Sequence, residues 1–191
     1  VRESDGRTII DPNSEAVTYV PSIDKFVTIA IDDTGSIVLM QEGDNTPVDT
    51  TDDADPRSRP GMFGHSIFYY KDDEWIVSTF DDSLAITNTT TFSSLPTGAI
   101  YPISETEAII LYIDEGGVRP VFIASDGTEH ECPGRFMNPT HILLDTADED
   151  FYTLHYAGAT KKDNIIYVYF TTHYGSVKVV KYKLASDDIG G

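Results

Sequence analysis

Four stretches of this chain repeat one rhythm, and that rhythm limits the fold more than any other feature. Each stretch reads strand, polar turn, strand, Asp/Gly turn, strand. The first runs from residues 16–20 through a turn at 22–25 to 26–32, then through Asp33-Thr-Gly35 to 36–40. The second runs over 66–70, turns at Lys71-Asp-Asp-Glu74, continues over 75–81, and turns at Asp82-Ser83 into 84–87. The third takes 99–103, a turn at 104–107, 108–114, and Glu115-Gly-Gly117 into 118–123. The fourth is looser: 151–156, a connection through 157–164, 165–172, the turn His173-Tyr-Gly175, and 176–184.

The chemistry agrees with the rhythm. Val, Ile, Thr, Tyr and Phe fill the strand positions, and β-branched and aromatic side chains fit a pleated surface. Gly, Asp and Asn fill the turns, where a positive φ or a side chain bonded to its own backbone is needed. The acidic pairs Asp32-Asp33, Asp72-Asp73 and Asp81-Asp82 belong to such turns, and each Asp is read first as a cap. The middle strands are nearly continuous apolar runs, as expected of strands covered on both faces. A fourth strand per unit is expected within 47–50, 89–92 and 128–132, and another strand at 141–145. No stretch carries helical periodicity behind a cap.

A small sheet cannot bury both of its faces, but sheets set side by side can, which leaves only short outer edges. The expectation is therefore one all-β domain over 1–191. It is a small β-propeller of four meander blades, or five if 141–145 opens its own, with repeat units near 16–50, 66–95, 99–132 and 141–184. A β-sandwich of the same meanders is the alternative. A chain of 191 residues buries roughly 70% of its unfolded surface and needs no staple. Its single cysteine, Cys132, excludes an intrachain disulfide and reads as a buried, inert thiol.

Charge narrows the partners. The chain carries 32 acidic and 13 basic residues, a formal net charge of −19. Such a field repels nucleic acid and anionic membrane surfaces. It keeps copies apart in solution, suits a salty habitat, or attracts cations and basic partners. No apolar run is long enough to span a membrane, so no membrane insertion is expected. The first residue is Val1, which suggests processing or an internal start.

Hairpins ending in Asp-x-x-Gly, together with the turn Ser125-Asp-Gly-Thr128, resemble the repeats of sialidase-like, Asp-box-type β-propellers. Residues 31–36 and 124–128 match the Asp-box in part, and neither has its final aromatic. The resemblance implies a propeller and raises sugar-active or sugar-binding chemistry. A sialidase also needs a cluster of arginines. The six here, Arg2, Arg7, Arg57, Arg59, Arg119 and Arg135, suggest no triad. Which carboxylates would face each other across a glycosidase pocket cannot be read from the chain.

Other candidates are local. The polar stretch 42–64, with Pro47, Pro56 and Pro60, reads as a long loop and the expected partner-contacting segment. Its ligand-binding candidates are Arg57, Arg59 and Phe63, with His65, Tyr69 and Tyr70 beyond it. Tyr69, Tyr70 and Trp75 suggest either a sugar-stacking platform or core packing. Asp145, Asp148 and Asp150, and likewise Asp49, Asp52, Asp53 and Asp55, lie in carboxylate-dense loops, the two candidates for a structural Ca²⁺; no other cofactor is expected. The histidines lack zinc-site spacing, and no phosphate loop, dinucleotide fingerprint or nucleophile elbow occurs. The chain thus reads as a non-enzymatic recognition or structural module. It would bind a glycan or protein receptor as a surface adhesin or as a virus or phage appendage, extracellular or on the virion, as a homo-oligomer or within a larger assembly. A sialidase-like glycoside hydrolase and a fragment of a larger propeller are the alternatives.

Overall fold

The computed structural model describes residues 16–31, 36–44, 46–55, 60–114, 117–132, 157–171 and 177–184. Among these the chain is all β, in two compact units, Val1–Ile100 and Tyr101–Gly191. Its strands form four antiparallel meander sheets of the propeller-blade type, the fold class that the repeat predicts.

The first blade is β1 (Ala16–Val20), β2 (Lys25–Ile31), β3 (Ser36–Gln41) and β4 (Val48–Asp53), paired in that order. The second is β5 (Gly61–Phe63), β6 (Ser66–Lys71), β7 (Glu74–Phe80) and β8 (Ile86–Ser93). The third is β9 (Gly98–Pro102), β10 (Ala108–Asp114), β11 (Gly117–Ile123) and β12 (Glu129–Glu131). The fourth shows β13 (Ala157–Lys162), β14 (Ile165–Thr171) and β15 (Val177–Lys183).

The turns follow the local chemistry. Asp72 and Asp73 connect β6 to β7 with φ of 51° and 64°, the doubly left-handed turn that matches strand twist. Gly64 opens the two-residue turn between β5 and β6 at φ 53°. Between β7 and β8 the Asp81 carboxylate accepts the Ser83 and Ala85 amides at 2.9 and 3.1 Å and the Ser83 hydroxyl at 2.6 Å. Those bonds hold its carboxyl below the usual range, the Ser83 hydroxyl contributing most. In the β11–β12 turn, the Thr128 amide donates to Asp126 at 2.9 Å, and Gly127 has φ 82°.

Four expectations need correction. The strands expected at 84–87 and 89–92 are one strand, β8, and Leu84 lies in the turn before it with φ 65°. Residues 42–64 are not one loop, because β4 and β5 lie inside them. The acidic run is an edge strand: Thr50 is buried and donates to the Ile37 carbonyl at 2.8 Å, while Asp49 and Asp53 are exposed. Charge on an edge strand blocks pairing with other chains. The second blade therefore starts at Gly61, and its first strand is too short to announce itself. In the fourth blade, residues 157–162 are a strand, not a connection. Ala-Gly-Ala has poor strand propensity, but Gly158 pairs with Tyr169, whose ring lies where a Cβ would stand, 2.7 Å away. Residues 141–145 and 151–156 lie outside the described residues.

Each unit has its own core. Ile29, Ile37 and Leu39 of the first blade pack with Ile67, Tyr69 and Phe80 of the second. Ile109, Leu111 and Phe122 of the third pack with Ile166, Val168 and Tyr182 of the fourth. Each such side chain contributes about 1.5–3 kcal/mol by leaving water. Cys132 is buried in the second core, which pushes its thiol up to about 12 and makes it inert at neutral pH.

Candidate functional site

The structure separates the residues that the sequence nominates. Tyr69 and Tyr70 are consecutive on β6, so they point to opposite faces and cannot share a platform. Tyr69 lies in the first core, with its hydroxyl 3.0 Å from Ser78 Oγ, which is 2.8 Å from Thr89 Oγ1. Tyr70 meets Trp75 edge-on at 5.2 Å, and the Trp75 indole donates to the Pro96 carbonyl at 3.3 Å. Both tyrosines and the tryptophan are buried, which places the trio in the packing. Phe63 ends β5 and is 44% exposed. Arg57, Arg59, Asp145, Asp148 and Asp150 lie outside the described residues. Among the described residues no three His, Cys, Asp or Glu side chains are placed to hold a metal.

His65 falls in a polar cluster of three hairpin tips. Ser22 comes from the β1–β2 turn, His65 from β5–β6 and Asp82 from β7–β8. The Ser22 hydroxyl donates to Asp82 Oδ1 at 2.5 Å, His65 Nε2 stands 3.1 Å from the same oxygen, and Ser22 Oγ is 3.3 Å from Nε2. The Ser22 bond, then the His65 bond, holds the Asp82 carboxyl below its usual range. The residue types are those of a hydrolytic triad, but the geometry differs. A triad needs the carboxylate on one ring nitrogen and the hydroxyl on the other. Here both meet Nε2, and Ser22 gives its proton to Asp82. The cluster therefore ties the first two blades together instead of activating Ser22. Gly64 adds to this tie by donating its amide to Thr18 Oγ1 at 2.8 Å.

The more distinctive surface is the face of the first blade turned away from the core. Tyr19 and Phe26 are cross-strand partners, as are Val17 and Thr28. Val17 is 58%, Tyr19 44% and Phe26 51% exposed. The two rings sit 5.4 Å apart at 58°. Further along the same sheet Ala30 and Val38 are buried, whereas the described residues Val17, Tyr19 and Phe26 at the β1–β2 end are open. Carboxylates border that end. Tyr19 donates its hydroxyl to Asp24 Oδ1 at 2.5 Å, which raises the phenol's pKa and keeps it neutral. Glu42 Oε2 accepts the Phe26 amide at 3.4 Å, and Asp49 is exposed opposite Val38.

Sequence reasoning missed this face. A signal was present: residues 16–20 and 26–30 are apolar at both strand parities, so one core leaves an apolar face over. A continuous apolar run is what a strand covered on both faces also shows, and nothing in one sequence shows which cover is missing.

No family model matches the sequence, and no curated protein matches it. Two solved structures from Bacteroides thetaiotaomicron are among those similar to this chain. One is a structural genomics protein of unknown function: 9% identity, TM-score 0.48, covering 88% of this chain and 46% of that one. The other is a quinonprotein alcohol dehydrogenase-like protein: 11% identity, TM-score 0.36, covering 94% of this chain and 66% of that one. The chain thus spans about half the length of the first and about two thirds of the second.

Proposed function

We propose that this protein is a recognition module that holds a macromolecular partner on the open face of its first blade without acting on it chemically. The observation behind this reading is that Val17, Tyr19 and Phe26, three of the five large hydrophobics exposed among the described residues, share one hairpin, whereas Phe63 and Val179 stand on other strands. Contiguous exposed apolar surface with a polar border marks interaction sites, and aromatic side chains dominate binding energy at such sites. An extracellular or virion-surface setting, as an adhesin or appendage, belongs to the same proposal. An acyl-transfer reading draws no support from Ser22, His65 and Asp82, whose bonds occupy the groups that a triad would use; the glycoside hydrolase alternative rests on paired carboxylates instead and is tested by turnover.

The test is a screen of glycan and peptide arrays with the full chain and with a Tyr19→Thr, Phe26→Thr variant. We expect a partner that the wild type retains and the variant loses by about tenfold or more. Retention of every partner by the variant, or turnover of a glycoside, would overturn the reading.

A further inference from the structure

We infer that the occupant of this face is a cationic protein segment, with an arginine or lysine stem in the notch between Tyr19 and Phe26 and its charge answered by Asp24 and Glu42. The inference rests on the reading above and adds the partner's chemistry.

The protein uses the same constellation internally. Lys161 Nζ lies 5.2 Å from the Phe122 ring centroid and donates to Glu107 Oε1 at 2.5 Å. Lys181 Nζ lies 5.6 Å from the Tyr167 ring centroid. At Tyr19 and Phe26 the rings and carboxylates are present, and among the described residues no lysine or arginine lies over either ring. A cation is drawn to an aromatic face by the ring quadrupole. The Tyr19 hydroxyl donates to a carboxylate, which enriches the ring in electron density and strengthens that attraction.

Charge and shape exclude the other occupants. A second copy would bring another Asp24, Glu42 and Asp49 against this border, on chains that each carry a formal charge of −19. Nucleic acid and anionic lipid are repelled for the same reason. Two rings at 58° form a notch, not a flat shelf, so they suit the stem of a long side chain better than the face of a sugar. Arginine and lysine lay such stems along apolar surface while the charge stays wet.

The experiment is a titration of the isotope-labelled full chain with a short peptide carrying two arginines around a leucine, followed by amide chemical shifts. Matched peptides carry citrulline or glutamate in place of arginine. We expect shifts centred on Val17, Tyr19, Phe26 and Thr28. Affinity should fall about tenfold or more with citrulline and in Tyr19→Thr, and should fall clearly in Asp24→Asn with Glu42→Gln, which leaves the rings in place. Shifts spread over the acidic surface and unchanged by Tyr19→Thr would overturn the inference. So would equal binding of the citrulline peptide, or self-association abolished by Tyr19→Thr. If the arrays yield a glycan on this face, the recognition reading stands and the cationic partner falls. If no partner touches the face, both fall.

Discussion

The seam within each unit is fastened differently. In the first unit the two blades share an apolar core, and their hairpin tips are tied by exposed polar groups, Ser22, His65 and Asp82. In the second, the tie from blade to blade is a half-buried ion pair. Lys161 of β13 meets Glu107 at the start of β10 beside the Phe122 ring, and the two side chains are 26% and 18% exposed. Water can replace a bond at an exposed tip almost as well as the partner does. A charge left alone in a half-buried setting has no such substitute. The first seam should therefore tolerate loss of its polar tie, and the second should not.

The chain carries a reporter for each seam. Trp75, the single tryptophan, is buried in the second blade. Cys132, the single cysteine, is buried in the core of the second unit. The largest effect is expected in the cores themselves. Ile29→Ala should cost about 2–5 kcal/mol in urea unfolding followed by Trp75 fluorescence, and Ile166→Ala a similar amount followed by Cys132 labelling. A loss below about 1 kcal/mol at either site would remove that core from the account. Next comes the ion pair. Lys161→Met should cost about 1–2 kcal/mol, because Glu107 is left without its cation, and should speed Cys132 labelling at neutral pH. Ser22→Ala should change Trp75 unfolding less than Lys161→Met changes labelling, and the reverse order would break the comparison.

Acid should sharpen the same contrast. Asp44, Asp81 and Asp82 of the first unit and Asp126 of the second have carboxyls held low by hydrogen bonds from their own turns or from Ser22. A carboxyl whose folded value lies below its unfolded value, near about 3.9, adds stability above that pH. The contribution disappears as pH falls through the folded value. The urea midpoint seen by Trp75 should therefore drop as pH falls below about 4, and Asp82→Asn should make that drop shallower. An unchanged slope in Asp82→Asn would mean that the Ser22 and His65 bonds do not persist in solution.

Much of the fold was readable because it is local. Turn aspartates such as Asp72 and Asp81 and β-branched runs such as those at 26–31 and 108–113 act over a few positions. The failures were also physical. Gly61–Phe63 is too short to show a period, and residues 157–162 hide a strand whose glycine is required by the ring of Tyr169 across the ladder. The sites were less readable. Ser22, His65 and Asp82 meet only because three turns end at the same place, and Tyr19 and Phe26 stand out only once the sheet is seen to be covered on one side. The meeting of three turns leaves no trace in spacing, and the double apolar parity of residues 16–20 and 26–30 does not say which face stays open.

The claim that matters most is that the face bearing Tyr19 and Phe26 is spare for folding. Threonine keeps strand propensity there while removing the rings. The account predicts that Tyr19→Thr with Phe26→Thr shifts unfolding stability by no more than about 1 kcal/mol, the scale of an exposed cross-strand pair. A loss of about 3 kcal/mol or more, as for rings taken from a core, would show that the face is already occupied within the folded protein and would contradict the account.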